Sequence, residues 1–164
     1  MQIDITKIAN VILYMLHKKV THLNDKKLNV LLFLIDYNHK KYCGETIFGE
    51  EYIKTARHPE PLILGELFSI IANNEDVEED DPNLYLIQEL LDYLDIEIVE
   101  KKSFVELQFI KMEEEFDEEF FSKDELTTIH KIVLEYIDTT PRNIANACFK
   151  IDEVRNTQVG EKIL

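Results

Sequence analysis

Asn24-Asp25-Lys26-Lys27-Leu28-Asn29-Val30-Leu31-Leu32-Phe33-Leu34-Ile35-Asp36-Tyr37-Asn38-His39-Lys40-Lys41-Tyr42-Cys43-Gly44 is the stretch on which the fold turns. Leu28, Leu31, Leu32 and Ile35 recur at helical spacing, and Val30, Phe33, Leu34 and Tyr37 fill much of the remaining circumference. A helix that is apolar nearly all round belongs at the centre of a domain, not on its surface. Asn24 or Asp25 can accept the free N–H groups at its start. Gly44 stands where a left-handed residue would end it. The aromatics Phe33, Tyr37 and Tyr42 share this helix and are read first as core.

Working outward, Ile5, Ile8, Ala9, Ile12 and Leu16 give an amphipathic helix over about Thr6 to Lys18, capped by Asp4 or Thr6. Downstream of Gly44 the period changes. Ile47, Phe48, Tyr52, Ile53 and Thr55 predict an extended segment between Thr46 and Arg57, closed by Pro59 and Pro61. Pro61 suits the first turn of a helix reaching about Ala72. Asp81-Pro82 opens another, with Leu84, Ile87, Leu90, Leu91 and Leu94 on its face. Ile96–Glu100 and Phe104–Phe109 alternate around Lys101-Lys102-Ser103, the pattern of a hairpin. Ser122 with Glu125 forms a capping box before Leu126, Ile129, Val133 and Ile137. Thr140-Pro141 begins a last short helix that ends near Cys148 and Phe149. The expected class is α+β and predominantly helical, with about six helices and a small antiparallel sheet of about three strands. Residues 1–164 read as a single domain, since no linker-like stretch or sustained repeat interrupts them.

Composition narrows the function. The chain has 164 residues, with 18 basic against 33 acidic side chains, for a formal net charge of −15. Phosphate contact needs clustered Lys and Arg, so this balance argues against a nucleic-acid binder, and it argues equally against docking on anionic lipid. It favours a partner that, if charged, is basic. Much of the acid sits in two runs, 75–81 and 113–119, each with six acids in seven residues. They read as solvated loops, with docking on a basic partner as the sharper alternative. Met1-Gln2-Ile3-Asp4 has no basic region leading an apolar stretch. The longest apolar runs are far shorter than a membrane span, and Cys43 and Cys148 lie in no paired motif. A cytoplasmic protein is the expectation.

No Gly-rich phosphate loop or nucleophile elbow is present, and no cofactor is expected. His39 and Cys43, four apart on one helical face, could serve as two metal ligands or as a thiol with its base. No local partner completes either site. The plainer reading is an exposed His39 beside a partly buried Cys43, with no metal. Neither a catalytic constellation nor an enzyme is read.

Lys26-Lys27-Leu28-Asn29-Val30-Leu31-Leu32-Phe33, then Gly44, then Tyr52-Ile53-Lys54 leading to His58-Pro59-Glu60-Pro61, resembles the Panacea domain, also called the SocA-like antitoxin domain. Ile8-Ala9-Asn10-Val11-Ile12-Leu13 and Phe121-Ser122-Lys123-Asp124-Glu125-Leu126 with Tyr136 extend the similarity over about residues 5–150. His58 stands where the family usually has Gly, and Asn29 where a second Lys is common. The resemblance implies a compact, mainly helical fold without catalytic activity. It further implies an antitoxin-type protein, phage- or mobile-element-associated, that neutralises by direct binding a protein toxin encoded by a neighbouring gene. Within the motif, Leu28, Leu31, Leu32, Phe33 and Gly44 are the core positions.

A partner surface is expected at Tyr52, Lys54, Arg57, His58, Pro59 and Pro61. The two prolines stiffen the turn, so little entropy is lost on docking, and Tyr and Arg are frequent interface anchors. The bland alternative is that the prolines only punctuate a strand-to-helix junction. Two other functions compete with the antitoxin reading. One is a structural or regulatory protein of a mobile element acting by self-association as a homo-oligomer. The other is a small hydrolase using His39, Cys43 or a carboxylate pair.

Overall fold

The computed structural model describes residues 2–164. Its axis is α2 (Asp25–Cys43), in which every residue from Lys27 through Asp36 is buried. The start is capped by Asn24, whose side-chain oxygen accepts the Lys27 N–H at 2.8 Å. The end is Gly44 in the left-handed conformation, φ 88°. The all-round apolar pattern has its physical counterpart in four neighbours: β2 (Pro59–Pro61), β4 (Val105–Lys111), α5 (Lys123–Glu135) and α6 (Pro141–Cys148).

α1 (Ile5–His17) lies against α4 (Pro82–Leu91) and β4, and its start is capped by Asp4 accepting from the Lys7 N–H at 3.0 Å. α3 (Leu62–Ala72) packs on α4, β4 and β2. α5 begins with the full Ser122/Glu125 capping box, and α6 with Thr140 accepting from the Asn143 N–H. A single 3-10 turn, Glu118–Phe120, precedes α5, and a short α7 (Asp152–Asn156) follows α6. One hydrophobic cluster, from Ile5 to Val154, joins the α-helices α1 to α7.

The class is α+β and predominantly helical, as the sequence predicts. The β structure is divided into two antiparallel pairs. β1 (Tyr52–Lys54) pairs with β2, Tyr52 opposite Pro61, and β3 (Leu94–Glu100) pairs with β4, Leu94 opposite Lys111. The last residues of the chain run along the other side of β1. There the Ile163 N–H donates to the Tyr52 carbonyl at 2.7 Å, and the Gly160 N–H to that of Lys54 at 2.7 Å. β1 is thus flanked on both sides.

Two expectations change in detail. The extended segment Thr46–Arg57 contains only three residues of strand, because the N–H groups of Ile47 and Phe48 are taken by the buried Asp36 carboxylate and not by a neighbouring strand. Gly49 at φ 68° then turns the chain before Tyr52. The prolines do not close the strand but form its partner. Proline has no N–H to give a ladder, so such a strand is confined to an edge.

Pro61 is not the first helical residue of α3 but precedes it at the capping position, where it offers no side-chain cap. Glu50 supplies one from a distance: its buried carboxylate accepts the N–H groups of Ile63 at 3.1 Å and Leu64 at 2.8 Å.

Candidate functional site

Where the start of α2, the β1–β2 turn, the β3–β4 hairpin and α6 meet, they enclose an open cleft of about 670 Å³. Each wall is fixed by local hydrogen bonding. On α2, the capping residue Asn24 also donates its amide to Glu106 Oε1 at 2.8 Å, while Gln108 donates to Oε2 at 3.0 Å. Burial pushes Glu106 up. The two amide donors, with Lys101 and Lys26 nearby, outweigh that and hold it below the usual carboxylate range. Asp25 accepts the Leu107 N–H at 3.1 Å and ties α2 to the hairpin, while burial keeps its carboxyl above the usual range. One residue on, the Lys26 ammonium lies 4.2 Å from the centre of the half-exposed Phe104 ring, a cation–π contact.

The second wall is the turn 55–58. Thr55 Oγ1 donates to the His58 carbonyl at 2.6 Å and accepts the N–H groups of Arg57 and His58. Serine and threonine hydroxyls stabilise tight turns in this way. The result holds Arg57 and His58 at the cleft edge. The third wall is α6, which contributes Arg142 from its first turn and Phe149 just beyond its end.

The electrostatics of this cleft are opposite to those of the chain. Lys26, Arg57 and Arg142 line it against the single carboxylate of Glu106, in a protein with a formal net charge of −15. Among the described residues, neither Arg57 nor Arg142 has an ion-pair partner. The N-termini of α2 and α6 open on the same space, through Asn24 and Thr140. The partial positive charge at a helix start adds to the same sign.

The expected partner residues separate into three groups. Arg57 and His58 line the cleft. Lys54 is directed away from partners: its ammonium donates to the carbonyls of Arg155 and Thr157 and fastens the end of the chain. Tyr52, Pro59 and Pro61 are corrected outright, since all three are buried in the β1–β2 pair and offer no contact surface. Tyr52 is sealed in because its ring fills the space against Phe33, centroid to centroid 5.5 Å. The motif positions Leu28, Leu31, Leu32 and Phe33 are fully buried core, and Gly44 is the helix-ending residue.

His39 and Cys43 exchange the surroundings expected of them. His39 is buried because the chain after Gly44 folds back over it, placing the Glu45 carbonyl 2.6 Å from Nδ1, whereas Cys43 is exposed. They form no thiol–imidazole pair. Among the described residues, no group of three or more His, Cys, Asp or Glu converges as a metal cluster. No helix there is long and apolar enough to cross a membrane.

Neither acidic run lines the cleft. Residues 75–81 join α3 to α4 as a loop, and 113–119 run from β4 into the 3-10 turn, which includes Glu118 and Glu119. In the second run Phe116 turns inward onto Tyr14, ring centroids 5.1 Å apart.

Sequence reading missed Phe104, Arg142 and Phe149 as cleft residues. Lys26 and Arg142 are more than a hundred positions apart, and only the contact of α2 with α6 brings them together. The one available signal was an arginine in the first turn of a predicted helix, which electrostatics alone does not favour. The chain matches no family model, no curated protein and no solved structure.

Proposed function

We propose that this protein is a non-catalytic binding module of the antitoxin type, which neutralises a partner protein by docking it directly. The observation that carries the reading is the convergence at one cleft of the two segments on which the Panacea resemblance rests. Lys26 and Val30 from the helical motif, and His58 from the turn motif, line the same space. The surrounding scaffold is rigid: Asn24, Asp25 and Thr55 each make the hydrogen bonds that fix a wall. A preformed surface loses little entropy on binding.

The test is co-expression with the product of the neighbouring gene. The expected result is growth inhibition by that product alone, relief on co-expression, and recovery of both proteins in one complex. A neighbour that is harmless alone and does not associate defeats the proposal.

A second reading, self-association, is favoured by the exposed apolar residues of the β3–β4 hairpin, Ile98 and Ile110 among them. A solution mass equal to one chain across the micromolar range excludes it.

A further inference from the structure

The overall charge suggests a basic partner, but the cleft has the opposite sign. We propose that the cleft receives an acidic peptide segment of the partner, with carboxylates meeting Lys26, Arg57 and Arg142 and an apolar side chain seated against Phe104 and Phe149. This rests on the binding-module reading and specifies the chemistry of the partner.

Three observations carry it. First, a chain with 33 acidic side chains offers abundant partners for its few cations, and yet Arg57 and Arg142 are both exposed at the cleft with no ion pair among the described residues. The one carboxylate in the cleft, Glu106, already has both oxygens engaged by Asn24 and Gln108. Glu106 keeps its charge and offsets that of nearby Lys26, which leaves Arg57 and Arg142 as the cleft cations without an ion-pair partner. Arginine presents a planar fork that fits a carboxylate in two parallel hydrogen bonds.

Second, the three cations come from three separate elements: α2, the turn 55–58 and α6. Charges distributed around a space suit several carboxylates spaced along a chain better than one compact anion. Third, apolar surface lines the same cleft, supplied by the half-exposed Phe104 and by Phe149. A side chain buried there would add hydrophobic binding to charge pairing, the usual composition of an interface with a dry centre and a polar rim. A nucleic acid is poorly matched, because its affinity comes from many phosphate contacts, and this cleft offers three cations on a strongly acidic body. Electrostatic complementarity of this kind chiefly sets which partner is accepted.

The experiment uses the full-length, nitrogen-15-labelled protein, titrated with four unlabelled probes. These are an eight-residue peptide of Glu and Asp around one Phe and one Leu, the same peptide with Lys for each acid, inorganic phosphate, and an eight-nucleotide single strand. The expected result is saturable shifts with the acidic peptide only, centred on the amides of Lys26, Arg57, Arg142 and Phe149. Arg57→Glu combined with Arg142→Glu is expected to weaken that binding at least tenfold while the rest of the spectrum is unchanged. Should the double variant misfold, Arg57→Glu alone, on an exposed turn, is expected to weaken it severalfold. The inference is overturned by shifts centred elsewhere, or by no shift at millimolar peptide. It is equally overturned by equal binding of the Lys peptide, phosphate or oligonucleotide, or by unaltered affinity in a folded variant.

Failure here is separable from failure of the binding-module reading. If the neighbouring gene product associates equally with wild type and the folded charge-reversed variant, the module reading stands and the cleft assignment falls. If the peptide binds but the neighbour does not associate, the reverse holds.

Discussion

The Tyr52 hydroxyl donates to Asp36 Oδ2 at 2.6 Å, and neither side chain has any exposed surface. Oδ1 of the same carboxylate accepts the Ile47 N–H at 2.6 Å and the Phe48 N–H at 3.3 Å. One acid thus holds α2, the segment that folds back over it, and β1. Burial raises Asp36 to about 6, against the lowering effect of these three donors and of His39. A folded value above the ordinary 3.8 means that the site's contribution to stability is complete below that value and is lost as pH rises through about 6.

Tyr52→Phe is therefore expected to act in a pH-dependent way. At pH 8 the variant leaves a buried carboxylate short of a donor, a loss of roughly 1.5–3 kcal/mol for a hydrogen bond to a charged group. At pH 5 the acid is largely neutral, and the loss should fall to about 1 kcal/mol. Urea denaturation at the two pH values measures this. Because phenylalanine keeps the ring that packs on Phe33, an equal loss at both would show that Asp36 does not change charge between pH 5 and pH 8, against a value of about 6.

How much of this was legible in the sequence depends on the range of the forces involved. α2 could be read because its apolar spacing, Asn24 cap and Gly44 stop are local, and the Ser122/Glu125 box is likewise written within four residues. Asp36 could not. A lone acid within a helical apolar run announces neither burial nor donors arriving eleven, twelve and sixteen residues later. Tyr52 was misplaced for the same reason: a tyrosine suits an interface and a core equally well, and only its acceptor decides. The cleft depends on α2 meeting α6, a long-range contact that leaves no mark on spacing. Reading the turn as a partner surface reaches Arg57 and His58, which line the cleft, and says nothing of the α2 and α6 walls.

Lys27, adjacent to Lys26, has a different role. Its ammonium is buried and donates to the carbonyls of Thr21 at 2.7 Å and Ile137 at 3.2 Å, which also receives the Thr21 N–H. The side chain therefore joins the α1–α2 turn to the segment between α5 and α6. Burial lowers its pKa from 10.5 to about 8, partly opposed by Asp138. The unfolded chain holds this proton more tightly than the folded one, so between about 8 and 10.5 stability at this site rises with pH, and below 8 the dependence flattens. Wild type should gain on Lys27→Met across that window in parallel denaturation series. A constant difference from pH 7 to 10 would sink the assignment.

The glycines separate conformational cost from steric cost. Gly44 and Gly49 both lie at positive φ, 88° and 68°. A Cβ at Gly44 meets nothing within 4 Å, whereas one at Gly49 would stand 2.1 Å from the Gln2 carbonyl oxygen. Gly44→Ala is expected to lose about 1 kcal/mol, the cost of a left-handed alanine. Gly49→Ala adds a backbone collision, and a loss of at least 3 kcal/mol is expected, in the range of the severe backbone substitutions. Thermal unfolding of the two variants ranks them, and similar midpoints would contradict the close approach of residue 2 to the Gly49 turn.

The two thiols differ in their access to solvent, which a labelling experiment can read directly. Cys43 is exposed at the end of α2, while Cys148 is fully buried and its thiol is pushed up to about 12 by that burial. The thiolate is the reactive form, so a buried group with so high a pKa is inert until the fold opens. With a thiol-specific chromogenic disulfide at pH 8, one of the two cysteines should react within minutes, and the second only in denaturant. The Cys43→Ser variant should then react only as fast as the protein opens, so its rate reports how often α6 detaches from α2. Because α6 carries Arg142, that same rate measures how firmly the third wall of the cleft is held. Rapid reaction of both thiols in the native protein would mean that α6 is not packed on α2 in solution, and that the cleft lacks this wall.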